Sequence, residues 1–326
     1  MAEELETVIQ EIDHQMAQFW NEMEHVMIGR KTEMKLMFTA LLSEGHVLLE
    51  DLPGTGKTTM AKAFSKGLNC CFSRVQCTPD LLPSDVLGAS VFNAKTSEFV
   101  LNKGPLFTNI LLVDEINRAL PRTQSSFLES MEERQASIEG TTYPLDRPFM
   151  VLATQNPIEM EGTFPLPEAQ MDRFLMCISL GYPTQQEEQE MLNKVGDRLP
   201  YEKIRAVFSP DQIVTLQQHC RQVHANDEIR EYITRLAAAT RKHPDIQVGV
   251  SPRGSKALYK VVKAWALLNG RSYVIPDDVK KMAGPVWNHR LTMGTEARMN
   301  QLETRLILRQ IIETIDLVEE KVLRYE

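Results

Sequence analysis

The 326-residue chain has only five cysteines, three tryptophans and no long apolar run, and each shortage excludes something. The cysteines (Cys70, Cys71, Cys77, Cys177, Cys220) are odd in number and form no CxxC pair, so spacing gives no zinc site and no redox dithiol; reduced, mostly buried thiols in a cytoplasmic setting are expected. No stretch approaches the ~20 apolar residues of a membrane span, and the acidic start MAEELETVIQ lacks the basic and apolar regions of a signal peptide. Positive charge is also in deficit. With 36 Lys and Arg against 44 Asp and Glu the net charge is -8, which speaks against a surface devoted to neutralising nucleic-acid phosphates. What remains is a globular composition with room for one large domain or two smaller ones.

Hydrophobic patterning divides the chain. Leu5, Val8, Ile9, Ile12, Met16, Phe19 and Met23 recur at spacings of three and four and predict an amphipathic helix. Short continuous apolar runs follow at 47 to 49, 110 to 113, 149 to 153 and 174 to 180, with a further strand expected around Phe72 to Cys77. Runs of this kind separated by helical stretches suit a buried parallel sheet with helices on both faces. After about residue 184 helix punctuation takes over. Ser209-Pro210, Ser251-Pro252 and Ile275-Pro276-Asp277 each open a helix, and Leu258, Val261, Val262, Trp265 and Leu268 form one stripe that ends at Gly270. The expected organisation is an α/β core over residues 1–184 and a helical domain over 185–326.

The chemistry concentrates at three strand ends. HVLLEDLPGTGKTTMAKAF joins an apolar strand to a helix through Pro53, Gly54, Thr55, Gly56, Lys57, Thr58 and Thr59. A loop of this kind holds phosphate oxygens on successive backbone N–H groups, aided by the positive end of the helix. Lys57 would reach the β- and γ-phosphates and the Thr58 hydroxyl would bind Mg²⁺. The strict pattern GxxxxGK[ST] asks for glycine where Asp51 stands. An inward carboxylate would be repelled by phosphate, so the Asp51 side chain is expected to turn away. Next, ILLVDEINRA delivers Asp114 and Glu115 at the end of a strand; Asp114 could hold Mg²⁺ while Glu115 polarises the attacking water. Finally VLATQNP ends a strand at Asn156, placed to touch the γ-phosphate or that water.

Loop, acidic strand end and polar strand end in this order resemble an AAA+ ATPase. EDLPGTGKT, DEINRALPRTQSSFLESMEERQ, FMVLATQNPIEMEGTFPLPEAQMDRFL and YVIPDDVKKMAGPVWNHRL together resemble the MoxR family, from about Ile28 to Leu291. The resemblance implies a P-loop αβα core with a parallel sheet and a smaller all-α lid. It implies ATP and Mg²⁺ as ligands and a homo-oligomeric ring, usually a hexamer. It also implies a partner with a von Willebrand factor A domain, and a protein client that could be a metal-dependent enzyme. Ile28 and Gly29 match the adenine-side segment, Arg173 the arginine finger that reaches a neighbouring subunit, and Arg253 the second sensor at the start of the lid helix. The plain alternative for Arg173 is an ion pair with Glu168 or Asp172. Residues 88 to 104 and 134 to 149 each read as a β-hairpin, matching the family's helix-2 insert and the hairpin before the first sensor.

Two other functions compete. A DNA-directed motor shares such a core, and Lys256, Lys260, Lys263 and Arg271 make a small basic group, although the acidic balance opposes it. A nucleotide-gated scaffold with little turnover is the other. Thr78-Pro79-Asp80-Leu81-Leu82-Pro83 offers no aromatic for threading a peptide through a pore, which favours remodelling by contact.

Overall fold

The computed structural model describes residues 2–24, 26–50, 54–95, 97–156, 162–193 and 200–315, and the side chains from Ile9 onward within these ranges except that of Pro200. Asp51 and Pro53 lie outside the described residues, and so does the expected outward turn of the Asp51 side chain. The chain divides into two compact units: one runs from His14 to Gln217, and the other joins residues up to Asp13 to those from Gln218 on.

In the first unit the elements run α1 (Ala2–Glu24, shared with the second unit), α2 (Lys31–Leu42), β1 (Val47–Glu50), α3 (Lys57–Gly67), β2 (Phe72–Gln76) and α4 (Pro83–Leu87). They continue with β3 (Gly88–Asn93), β4 (Glu98–Lys103), β5 (Ile110–Asp114), α5 (Pro121–Glu133), β6 (Gln135–Ile138), β7 (Thr141–Pro144), β8 (Met150–Gln155), α6 (Glu168–Met171), β9 (Met176–Ile178) and α7 (Gln185–Asn193). Among the described residues the central sheet has the order β2-β5-β8-β1-β9, with every pairing parallel. β5 is buried along its whole length, which is why ILLVD reads as a continuous apolar run and not as an alternation. The two expected hairpins are β3–β4 and β6–β7. The β6–β7 turn places Glu139 and Gly140 both at positive φ, the backbone of a tight two-residue hairpin loop.

Register decides what faces the site. Gln76 pairs with Asp114 across β2 and β5, Val113 pairs with Ala153 across β5 and β8, and Leu49 pairs with Thr154 across β1 and β8. The polar residues that close these apolar strands therefore gather along one edge, outside the carboxyl ends, where open α/β sheets bind ligands.

The core forms by ordinary burial. Phe127, Leu128 and Met131 of α5 pack with Leu111, Val113, Val151 and Phe174. A second group joins Phe19, Phe38, Phe64 and Phe208 in edge-to-face contacts, with Phe38 5.3 Å from Phe19 and 5.4 Å from Phe208. Each such ring contributes about 1.5–3 kcal/mol by leaving water. His46, ahead of β1, is a polar pin within this packing. The Val151 N–H donates to its Nδ1 at 2.9 Å, so the proton sits on Nε2 and is donated to the Met131 carbonyl at 2.9 Å.

In the second unit α8 (Pro210–Gln222), which begins in the first, is followed by α9 (Asp227–Lys242), β10 (Ile246–Val248), α10 (Pro252–Leu267), α11 (Pro276–Trp287), β11 (Thr292–Met293), α12 (Thr295–Met299) and α13 (Thr304–Thr314). The Ser251 hydroxyl caps α10 by accepting from the Gly254 N–H at 3.2 Å. Leu258, Val261 and Val262 are fully buried, and the indole of Trp287 donates to the Gly254 carbonyl at 3.0 Å. Helix punctuation gave no sign of the short ribbon β10–β11, whose few residues carry too little pattern to read.

Burial lowers the His46 pKa to about 4. Above the unfolded value near 6.5 both states are neutral and nothing is lost. As pH falls from there toward 4 the unfolded chain takes up a proton that the native state refuses, so native stability drops by roughly 3 kcal/mol in all. Urea unfolding at pH 7 and pH 4.5 checks this: His46→Gln, which keeps a donor and an acceptor without titrating, should show a distinctly smaller loss than wild type.

Candidate functional site

An open cavity of about 360 Å³ lies at the carboxyl edge of the sheet. Gly54, Thr55, Gly56, Lys57, Thr58 and Thr59 form one wall, and β2 supplies Arg74 and Gln76. The end of β5 supplies Asp114 and Glu115, and the end of β8 supplies Thr154 and Asn156. Sequence reasoning named the loop, the carboxylate pair and Asn156. It missed Arg74, Gln76 and Thr154. Their only signal was the parallel register, which sets them beside Asp114 and cannot be read from one strand at a time.

The loop's shape follows from its glycines. Gly54 and Gly56 hold φ of 84° and 85°, backbone that a side chain rarely adopts. Among the described residues, chain neighbours aside, a Cβ at either position would meet no atom within 4 Å, so it is the backbone angle that asks for glycine. Gly56 is the residue before α3, whose first turn holds Lys57, Thr58 and Thr59 and no acidic side chain. The first-turn N–H groups of a helix have no partner within their own helix, and together with its positive end they favour an anion there.

The acidic pair is held by one hydroxyl. Thr154 Oγ1 accepts from the Glu115 N–H at 2.8 Å and donates to Asp114 Oδ1 at 3.1 Å. Asp114 stays in strand geometry and is mostly buried, whereas Glu115 turns into the left-handed region at φ 55°. That conformation costs about 1–3 kcal/mol for a residue with a side chain, and it makes two adjacent carboxylates point differently. Asp114 Oδ2 accepts from Arg74 Nε at 2.6 Å. Glu115 Oε2 accepts from Gln76 Nε2 at 3.1 Å and from Arg118 Nη1 at 3.0 Å.

Within the first unit, Arg173, Ile28 and Gly29 are not among the residues that line this cavity. Arg173 follows α6 and lines a separate cavity of about 310 Å³ with Glu129, Glu132, Glu133 and Gln170. Its described ion pair is with Glu132 of α5 at 3.3 Å, a partner that the sequence neighbourhood of Arg173 does not suggest. The fold brings α5 against the α6 turn, a contact between residues forty-one positions apart. Ile28 is buried and Gly29, at φ 69°, begins the turn into α2. The Glu187 carboxylate lies where a Cβ at Gly29 would stand, and Arg30 donates to the Leu180 and Gly181 carbonyls. Arg253 occupies the first turn of α10 in the second unit, exposed. Among the described residues no helix is long and apolar enough to cross a membrane.

Comparison with known proteins adds independent support. Residues 46–176 match the ATPase family associated with various cellular activities (AAA), and residues 238–311 match the AAA lid domain. The chain is 48% identical to the protein YeaC of Bacillus subtilis over 89% of its own length and 91% of that protein. It is 38% identical to the chaperone MoxR1 of Mycobacterium tuberculosis, over 91% of this chain and 80% of that one, and 31% identical to the protein MoxR of Paracoccus denitrificans, over 86% and 90%. A crystal structure of a protein from Cytophaga hutchinsonii superposes with a TM-score of 0.89 at 35% identity, covering 98% of each chain. Similarity to MoxR proteins along most of the chain, joined to a loop, a carboxylate pair and a polar strand end that share one cavity, places this chain in the MoxR family of AAA+ ATPases.

Proposed function

We propose that the chain hydrolyses ATP with Mg²⁺ as part of a homo-oligomeric ring, a hexamer as is usual for its class, and uses the cycle to remodel, assemble or activate a protein client. One observation carries the reading: two differently oriented carboxylates stand in the same cavity as a loop that two positive-φ glycines shape ahead of a helix N-terminus. The Asp114 carboxylate and the Thr58 hydroxyl are hard oxygen donors of the kind that suits Mg²⁺. Bound there, the cation would supply positive charge to the phosphate oxygens.

In this mechanism Lys57 and the backbone N–H groups of residues 54–59 hold the β- and γ-phosphates, with Pro53 shaping the entry to the loop and Ile28 and Gly29 on the adenine side. Glu115 accepts a proton from water as its oxygen attacks the γ-phosphorus; the bond to the β–γ bridging oxygen breaks, leaving ADP and inorganic phosphate. Asn156 orients that water. Arg253 from the lid adds charge at the transferred group, and so does Arg173 from a neighbouring subunit. Arg173 lines a cavity of its own, which suits a residue acting in another subunit's site. Its pair with the half-exposed Glu132 is worth ~0–1 kcal/mol, so little holds it back.

The client is read as a protein. Of the basic group in the lid, Arg271 is committed to a two-bond pair with Asp278 at 2.6 and 2.8 Å, and Lys263 donates to the Arg221 carbonyl, which leaves little of a stripe for DNA. The β3–β4 hairpin presents Phe92 and Phe99, 54% and 73% exposed, as a contact surface for remodelling without threading. The MoxR resemblance supports a von Willebrand factor A domain partner and a metal-dependent enzyme as client. Free thiols, Cys71 among them exposed, suit a cytoplasmic setting.

Glu115→Gln should bind ATP about as well as wild type while single-turnover hydrolysis falls by roughly 10²–10⁴; equal rates would leave only the scaffold reading. Loaded with ATP, this variant should retain a protein with a von Willebrand factor A domain in a pull-down, and capture of DNA alone would overturn the partner. Arg173→Ala should lose ~10³-fold or more in turnover. Mixing it with Glu115→Gln should restore part of the activity, because the second chain lends its arginine to the first chain's intact carboxylate; no restoration would end the idea of action between subunits.

A further inference from the structure

The cavity contains a cation of its own. Arg74, on β2, puts Nε 2.6 Å from Asp114 Oδ2, the carboxylate proposed to hold Mg²⁺. A charge-assisted contact of this length is a strong one. Asp114 has little room for a second cation beside it. Its Oδ1 is taken by the Thr154 hydroxyl, which is buried and fixed by the Glu115 N–H, whereas Arg74 is 46% exposed at the cavity wall. Of the two partners, only Arg74 can swing into solvent without opening the sheet.

We propose that Arg74 is a resident counter-ion that Mg²⁺ has to displace from Asp114, a positioning residue that makes metal loading of the nucleotide site conditional. The proposal rests on the reading that Asp114 takes the metal. A guanidinium and a divalent cation repel each other strongly at the separation one carboxylate imposes, so occupancy is exclusive. The same guanidinium extends further: Arg74 Nη2 donates to Gln76 Oε1 at 3.0 Å, and Gln76 Nε2 donates to Glu115 Oε2 at 3.1 Å. Displacing Arg74 from Asp114 therefore removes the donor that orients the Gln76 amide and loosens its hold on Glu115. The carboxylate that receives the metal and the carboxylate that handles the water are coupled through two side chains on one neighbouring strand.

The test measures metal affinity and needs no turnover. With the full-length protein saturated by ADP, Mn²⁺ binding is followed by electron paramagnetic resonance for wild type, Arg74→Gln and Arg74→Met. Both variants should bind Mn²⁺ about tenfold more tightly, the scale of one charged hydrogen bond removed from competition. The paired loss of charge in two differently shaped side chains guards against a local packing effect. Unchanged or weaker Mn²⁺ binding in the variants overturns the proposal; weaker binding would make Arg74 a phosphate ligand instead. Asp114→Asn in the same assay should bind Mn²⁺ more weakly than wild type. If it does not, the assignment of the metal to Asp114 has failed, a result distinct from failure of the Arg74 variants alone.

Discussion

The hydroxyl of Thr154 joins the two halves of the site. By accepting from the Glu115 backbone and donating to the Asp114 side chain it uses its one donor and fixes its lone pairs, so β5 and β8 end in a single hydrogen-bonded unit. The parallel register makes this possible, since Val113 opposite Ala153 sets Asp114 beside Thr154, and Gln76 opposite Asp114 brings the β2 side chains alongside. Slip any of these strands by one residue and every polar end would turn to the other face of the sheet. In β5 and β8, which are buried almost throughout, such a slip would draw Asp114 or Thr154 in among apolar neighbours, so the hydrophobic core helps to determine where the carboxylates point.

The left-handed turn at Glu115 is the local price of that arrangement. A chain leaving a buried strand in extended form would carry consecutive side chains to opposite faces; at φ 55° the backbone turns at once, and the Glu115 carboxylate meets Gln76 and Arg118. The Thr154 hydroxyl helps to hold the strained residue by accepting from its N–H. Strain, hydrogen bond and register support one another, which is the pattern expected where geometry serves chemistry.

Much of this was legible in the letters. The strands, the loop, the acidic pair and the first turn of the lid helix all announced themselves, because each depends on a short stretch: an apolar run, two glycines at the right interval, a Ser-Pro cap. Arg74, Gln76 and Thr154 did not. On its own strand each is a polar residue near an end, and such residues are common. The Glu132 partner of Arg173 was invisible for the same reason, since nothing near residue 173 records that α5 will pack against it. His46 reads as a polar residue before a strand; only the closed structure makes it a neutral pin between the α5 carbonyl and the β8 amide.

The sequence by itself determined the class of the protein, a phosphate loop with an acidic strand end on a parallel sheet followed by a helical unit, because those features arise from neighbours along the chain. Tertiary structure decided how the site is wired. It set which cation sits on Asp114, which amide holds Glu115, and that Arg173 lines a cavity separate from the loop. Those relations come from strand pairing and helix packing between distant residues, where side chains meet only after the core has closed.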